Sequence, residues 1–134
     1  MKLSTFAIII SILAIGFGLA FVFIPVRLMA FYNISLGGGG VLMARYFGAA
    51  NLFIGMIFWS YSSVSPSAKS WPKLLLYSLV YDVVQLGITA KAQLNSLSNP
   101  MGWTTVALFA LLAIGSGYFL MQSNKARALS MQIN

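Results

Sequence analysis

Four stretches of this chain are apolar for about as long as a helix needs to cross the hydrocarbon of a bilayer. They cover residues 3–24, 41–61, 72–93 and 101–122, each close to the roughly 20 residues that span such a layer. Within hydrocarbon every peptide group must find its partner inside the protein, so only helices and closed barrels cross it. None of these runs alternates as a barrel strand does. The sequence therefore predicts an all-α integral membrane protein, a four-transmembrane-helix bundle forming one domain over residues 1–134. The first run exceeds the roughly 7–15 apolar residues of a cleavable signal, so it is expected to be retained as a helix.

Composition points the same way. Charged residues make up 7% of the chain and hydrophobic ones 60%, whereas a soluble domain carries roughly 25% charged residues. Eight Lys and Arg face a single acid, Asp82, for a net charge of +7. The cations are scattered rather than gathered into a basic run interleaved with aromatics, so no nucleic-acid partner is expected. They are better read as topology signals and as contacts to anionic lipid headgroups. Neither Cys nor His occurs, which removes thiol redox chemistry, disulfides, His or Cys metal sites and His- or Cys-based catalysis. No metal or other cofactor is expected, and a lone carboxylate forms no acid pair within one chain. The protein is not expected to be an enzyme.

An even number of spans brings both termini and the loop between the second and third helices to one side. That side holds Lys2, Lys69, Lys73, Lys125 and Arg127, against Arg27, Arg45 and Lys91 on the other. The positive-inside rule then makes both termini of this multi-pass protein cytoplasmic. Trp59, Tyr61, Trp71, Trp103 and Tyr32 fall near the predicted helix ends as an aromatic belt. The stretch VRLMAFYN, residues 26–33, is too short to span and is mildly amphipathic. It is expected to lie in the interface before the glycine run 37–40 lets the chain turn back. The basic tail, NKARALSMQIN, is read as a short helix on the inner leaflet. Arg27, Arg45 and Lys91 are expected to snorkel separately, the sharper alternative being a shared cradle for an anionic headgroup.

Asp82 stands in LVYDVVQLG, residues 79–87, in the middle of the third helix. Ser78, Asp82, Gln85, Thr89 and Gln93 follow one another at helical spacing and share a face. A polar stripe in a membrane helix points into the bundle, toward another subunit or into a cavity. It serves either as packing glue through interhelical hydrogen bonds, the expected role, or as the lining of a ligand or proton path. Counting from the loop shared by the second and third helices, Asp82 lies roughly 16 Å deep, level with Asn51. Arg45 lies roughly 9 Å further on, and its side chain leans away from Asp82. Asn51 is therefore the expected partner rather than Arg45. A central Asp costs about 2.5–3.5 kcal/mol on insertion scales. A neutral carboxyl bonded to Asn51, Gln85 or a tyrosine hydroxyl avoids most of it.

Small residues recur at the same spacing on the other helices. Ala44, Gly48, Asn51 and Gly55 share a face of the second, and Ser4, Ala7, Ser11, Ala14 and Gly18 one of the first. Ala110, Ala113 and Gly117 follow in the fourth. Such faces let helices approach closely where no hydrophobic force draws them together. They predict a compact bundle.

The run ARYFGAANLFIGMIFW, residues 44–59, with the preceding IPVRLMAFYNI, residues 24–34, resembles small four-helix prokaryotic membrane proteins of the DoxX-like families. The resemblance covers roughly the first half of the chain. It implies Arg45, Gly48 and Ala49 as family-type positions and implies no established activity. Small multidrug-resistance transporters also combine four short helices with one membrane-embedded acid. Theirs is a Glu in the first helix, whereas here it is an Asp in the third.

With so little chain outside the membrane and so few reactive side chains, the leading expectation is a non-enzymatic accessory or scaffold subunit. It would contact other membrane subunits or copies of itself. The alternative is a small transporter or a ligand- or lipid-binding bundle. Asp82 would then be its proton or cation site, shaped by Asn51, Gln85, Ser78, Thr89 and Tyr81, with Arg45 guarding the outer mouth. What separates the two is whether the polar stripe of the third helix meets packed side chains or a cavity.

Overall fold

The computed structural model describes residues 2–65 and 68–132, and the chain is all-helical. Among the described residues there are five helices and no strand: α1 (Leu3–Phe23), α2 (Pro25–Phe31), α3 (Gly38–Ser62), α4 (Trp71–Leu94) and α5 (Gly102–Gln132). Four are long and apolar enough to cross a membrane, namely α1, α3, α4 and the Gly102–Lys125 portion of α5. The expected amphipathic connection is α2, a two-turn helix. Pro25 closes α1 and opens α2, because a proline fits the first turn of a helix but disfavours helical geometry in the residue before it. Ile24 accordingly leaves the helical region, at φ −131° and ψ 42°.

Two boundaries differ from expectation, the start of α3 and the end of α5. Gly38, Gly39 and Gly40 form the first turn of α3, with the Val41 N–H donating to Gly37 O at 3.0 Å, and no glycine has a positive φ. The chain instead reverses at Asn33, whose φ is 58°. The Asn33 N–H donates to Ala30 O and the Ile34 N–H to Met29 O, the paired bonds of a Schellman ending. Ser96, at φ 55°, ends α4 in the same way, the Ser96 N–H donating to Gln93 O and the Leu97 N–H to Ala92 O. Asn tolerates the left-handed region because its short polar side chain bonds locally. The last helix continues past residue 122 to Gln132, so the described part of the basic tail prolongs a spanning helix.

The helices pair as two antiparallel hairpins, α1 with α3 and α4 with α5. Consecutive in sequence, α3 and α4 nevertheless do not meet backbone to backbone. The α1–α3 seam is built from the small residues anticipated on those faces. A side-chain carbon at Gly48 would lie 2.8 Å from Gly18 O and 2.9 Å from Val22 N, and one at Gly18 would lie 2.9 Å from Leu52 N. The backbones are thus in contact, and Ser11 Oγ donates to Gly55 O at 2.8 Å across the same seam.

The two hairpins close on each other at the end that carries the chain's N-terminus and the α3–α4 loop. Leu3, Phe6, Ala7 and Ile10 of α1 meet Phe58 of α3, Trp71 and Leu75 of α4, and Phe119 of α5 in one buried cluster. Phe6 and Phe119 stack with centroids 5.0 Å apart. Trp71, an expected belt residue, is instead 1% exposed, with its indole N–H donating to Ser65 O. At the opposite end the clamp is polar. Asn99, in the α4–α5 loop, donates its backbone N–H to Tyr32 O and its side-chain amide to Phe31 O, each at 3.0 Å. Between these clamps the hairpins stand apart.

Candidate functional site

The gap between the hairpins is a cavity of about 540 Å³. Its walls are mostly aromatic and aliphatic, with Phe17 and Phe21 of α1, Phe47 and Ile54 of α3, and Leu108 and Phe109 of α5 among them. One strip is polar. Ser78, Asp82, Gln85 and Thr89 of α4 all face the cavity, joined by Tyr77 and Tyr81 beside them and by Asn51 opposite. No Lys or Arg lines the cavity, so Asp82 is the one acid in a space without a cation. Tyr77 and Ile88 also line it, yet they are 66% and 59% exposed. The cavity therefore opens sideways along α4, at membrane depth.

Asp82 itself is only 3% exposed, and its partners come from the hairpin it belongs to. Ser116 of α5 donates its hydroxyl to Asp82 Oδ2 at 3.1 Å, and Ser78, one turn earlier on α4, reaches the same oxygen at 3.4 Å. The Ser116 hydroxyl also lies 3.2 Å from Ser78 Oγ, which accepts from it, so its one proton is shared between Ser78 and the carboxyl while Ser78 donates to the carboxyl in turn. Both contacts to the carboxyl exceed the usual O–H···O distance of about 2.8 Å, which marks a loose cluster rather than a tight cage. They fall on one oxygen. Among the described residues no donor reaches Oδ1, which leaves half of the carboxyl's accepting capacity unused.

The other polar side chains are held less completely. The Tyr81 hydroxyl is buried and has the amides of Gln85 and Asn51 as neighbours, yet neither forms a well-aligned bond with it. Its ring packs edge-on against Phe109 of α5, at 6.3 Å between centroids. Asn51, 8% exposed, donates its amide N–H to Phe47 O in its own helix. This bond holds the side chain along α3 and leaves its carbonyl for another donor. Thr89 likewise bonds back to Gln85 O. Hydroxyls and amides that satisfy themselves within their own helix hold no helix pair together. Asn51 and Thr89 thus present polarity to the cavity instead of spending it on joining helices, whereas Asp82 and Ser78 also link α4 to α5 through Ser116.

Five of the six site candidates from the sequence, Ser78, Asn51, Asp82, Gln85 and Thr89, thus converge on one space. Arg45 does not line it. Arg45 lies instead with Arg27 at the junction of α1, α2 and α3, and among the described residues no ion pair joins it to Asp82. Gln93, at the end of the stripe, is drawn away to the α4–α5 loop, where it receives the Ser98 hydroxyl and donates to Asn99 O. The expected Asn51–Asp82 bond is replaced by the serine cluster because Asp82's packing partner is α5 rather than α3.

Ser116 is the residue that sequence reasoning passed over. Its signal was present: it is a hydroxyl in an otherwise apolar run, AIGSGYF. Asp82 lies twelve residues before the end of α4 and Ser116 fourteen after the start of α5. Counted from the loop between those two helices, the depths are roughly 18 and 21 Å. The same depth argument applied to the neighbouring hairpin finds it. In comparisons with protein-family models, curated proteins and solved structures, the chain finds no match.

Proposed function

We propose that this protein is a membrane-embedded binding or transport bundle that takes up a small lipophilic molecule with a cationic or proton-donating head from the bilayer. The observation that carries this reading is the cavity of about 540 Å³ that faces the α4 stripe and contains Asp82. Its volume falls in the range of small-molecule sites, about 300–1,000 Å³, and it pairs apolar walls with a few convergent polar groups as such sites do. An intramembrane acid commonly marks a substrate or ion site. Aromatic faces beside a carboxylate suit a cation with an apolar body, since the ring quadrupoles and the acid attract the same charge. The opening along α4 supplies a route from lipid that needs no passage through water.

An accessory or scaffold role, the leading expectation from composition, comes second because glue alone gives no reason for a polar strip that faces empty volume. On either reading the protein acts without covalent chemistry of its own. We assign both termini to the cytoplasmic side of a prokaryotic inner membrane, on the five-to-three distribution of cations. The DoxX-like resemblance of residues 24–59 supports a prokaryotic origin.

The test uses tetraphenylphosphonium as the probe and the full chain in lipid nanodiscs. Saturable binding above that of empty nanodiscs is expected. Ala14→Trp, which places an indole into the cavity from α1, is expected to weaken binding by at least ~10-fold, the equivalent of one lost contact of about 1.4 kcal/mol. Binding that never saturates, or that Ala14→Trp leaves intact in a folded protein, would count against the cavity as the site.

A further inference from the structure

A second site lies away from this cavity, and its chemistry is opposite. Arg27, near the start of α2, and Arg45, two turns into α3, line a common pocket of about 330 Å³ at the end of α1. Its remaining walls are Phe23, Ile24, Pro25, Val26 and Val41. Both arginines are exposed, and among the described residues neither makes an ion pair. Nor can the chain supply one, since its only acid is Asp82, held by serines in the other hairpin. Two guanidinium groups that share a pocket repel one another until an anion sits between them. From sequence, Arg27, Arg45 and Lys91 are expected to snorkel separately, with a shared cradle as the alternative. The structure brings two together, because the kink at Pro25 folds α2 back toward α3, while Lys91 is exposed at the end of α4.

We propose that the Arg27–Arg45 pocket binds the phosphate of an anionic phospholipid, with the two arginines on the phosphodiester and the lipid's glycerol and upper acyl chain against the apolar wall. Three observations carry this. Arg is the side chain whose planar fork matches phosphate oxygens two at a time. The pocket sits where α1, a helix long enough to span, ends and the short α2 begins, and the end of a span is where headgroups meet a chain. Its wall is apolar apart from the two charges, which suits a lipid and offers a free phosphate ion nothing beyond the arginines. The site is independent of the central cavity, so it stands or falls separately from the function proposed above.

The experiment measures binding of palmitoyl-oleoyl phosphatidylglycerol to the delipidated full chain in detergent by native mass spectrometry, with phosphatidylcholine for comparison. One phosphatidylglycerol is expected to bind preferentially. Arg27→Gln/Arg45→Gln is expected to weaken it on the order of 30-fold, from two lost interfacial charge contacts. Lys91→Gln, which removes a cation outside the pocket, is expected to leave it unchanged. An equal loss in Lys91→Gln would reduce the effect to general surface charge and overturn the site. Displacement of the lipid by millimolar inorganic phosphate would overturn the lipid as occupant in favour of a soluble anion. If the double variant does not fold, Arg27→Lys serves instead. It keeps the charge and loses the fork, so it is expected to show a partial loss, and full retention would overturn the paired-arginine geometry.

Discussion

Replacing Gly48 with leucine is expected to separate α1 from α3 and to destabilise the bundle by ~3 kcal/mol or more, the upper range for overpacking. The magnitude follows from what the new side chain would meet. Its first carbon would lie 2.8 Å from Gly18 O, 2.8 Å from Phe21 Cβ and 2.9 Å from Val22 N. Two of these are backbone atoms, which no rotamer change can move aside. Relief requires the helices to part, and parting forfeits the dispersion contacts along the seam and the Ser11–Gly55 bond. Gly16→Leu in α1 is the matched control. A carbon there meets nothing within 4 Å, so the same change of residue is expected to be close to neutral. Steric-trapping or thermal unfolding in detergent compares the two. Equal destabilisation by both would show that leucine at any glycine is harmful and that the close crossing of α1 and α3 is not what holds this hairpin.

That seam was legible in the sequence because close packing needs small residues and helical spacing reveals which of them share a face. The number of spans was legible for a similar reason, since length and apolarity alone decide whether a segment suits hydrocarbon. What the sequence did not give was pairing. Nothing in the spacing of Asn51 or Asp82 says that α3 packs on α1 while α4 packs on α5, and the expected Asn51–Asp82 contact assumed that neighbours joined by a loop are neighbours in space. Once α4 is paired with α5, Ser116 becomes the natural partner of Asp82, and the face of α4 toward α3 is left open. Ser78, Asp82, Gln85 and Thr89 of the polar stripe do share one face, whereas Gln93 turns to the α4–α5 loop. Whether the stripe met a side chain or a void depended on a tertiary gap that no local pattern encodes. The turns were misread on local chemistry. The glycine run suggested a reversal, but the left-handed residues that end α2 and α4 are Asn33 and Ser96, while the glycines enter a helix.

The serine cluster makes it possible to separate the two roles open to Asp82. Ser116→Ala removes the shorter of the two bonds to Oδ2 and leaves Ser78 at 3.4 Å. It is expected to cost stability of about 0.6–1.7 kcal/mol, as interhelical hydrogen bonds in membranes do, while the carboxyl persists and tetraphenylphosphonium binding changes little. Asp82→Asn does the reverse. The amide has the same shape and its carbonyl can accept the Ser116 hydroxyl, so α4 and α5 stay joined, but the side chain can no longer carry a negative charge. Binding of the lipophilic cation is expected to fall by at least ~10-fold, corresponding to about 1.4 kcal/mol or more, with the unfolding midpoint close to that of the unmodified protein. If Asp82 served only to join α4 to α5, Ser116→Ala would lower stability and neither variant would alter binding. The pair therefore tests more than either alone. A carboxyl that lines the cavity, with one oxygen held by serines and the other without a donor, predicts opposite outcomes for a partner that positions it and for the charge it presents.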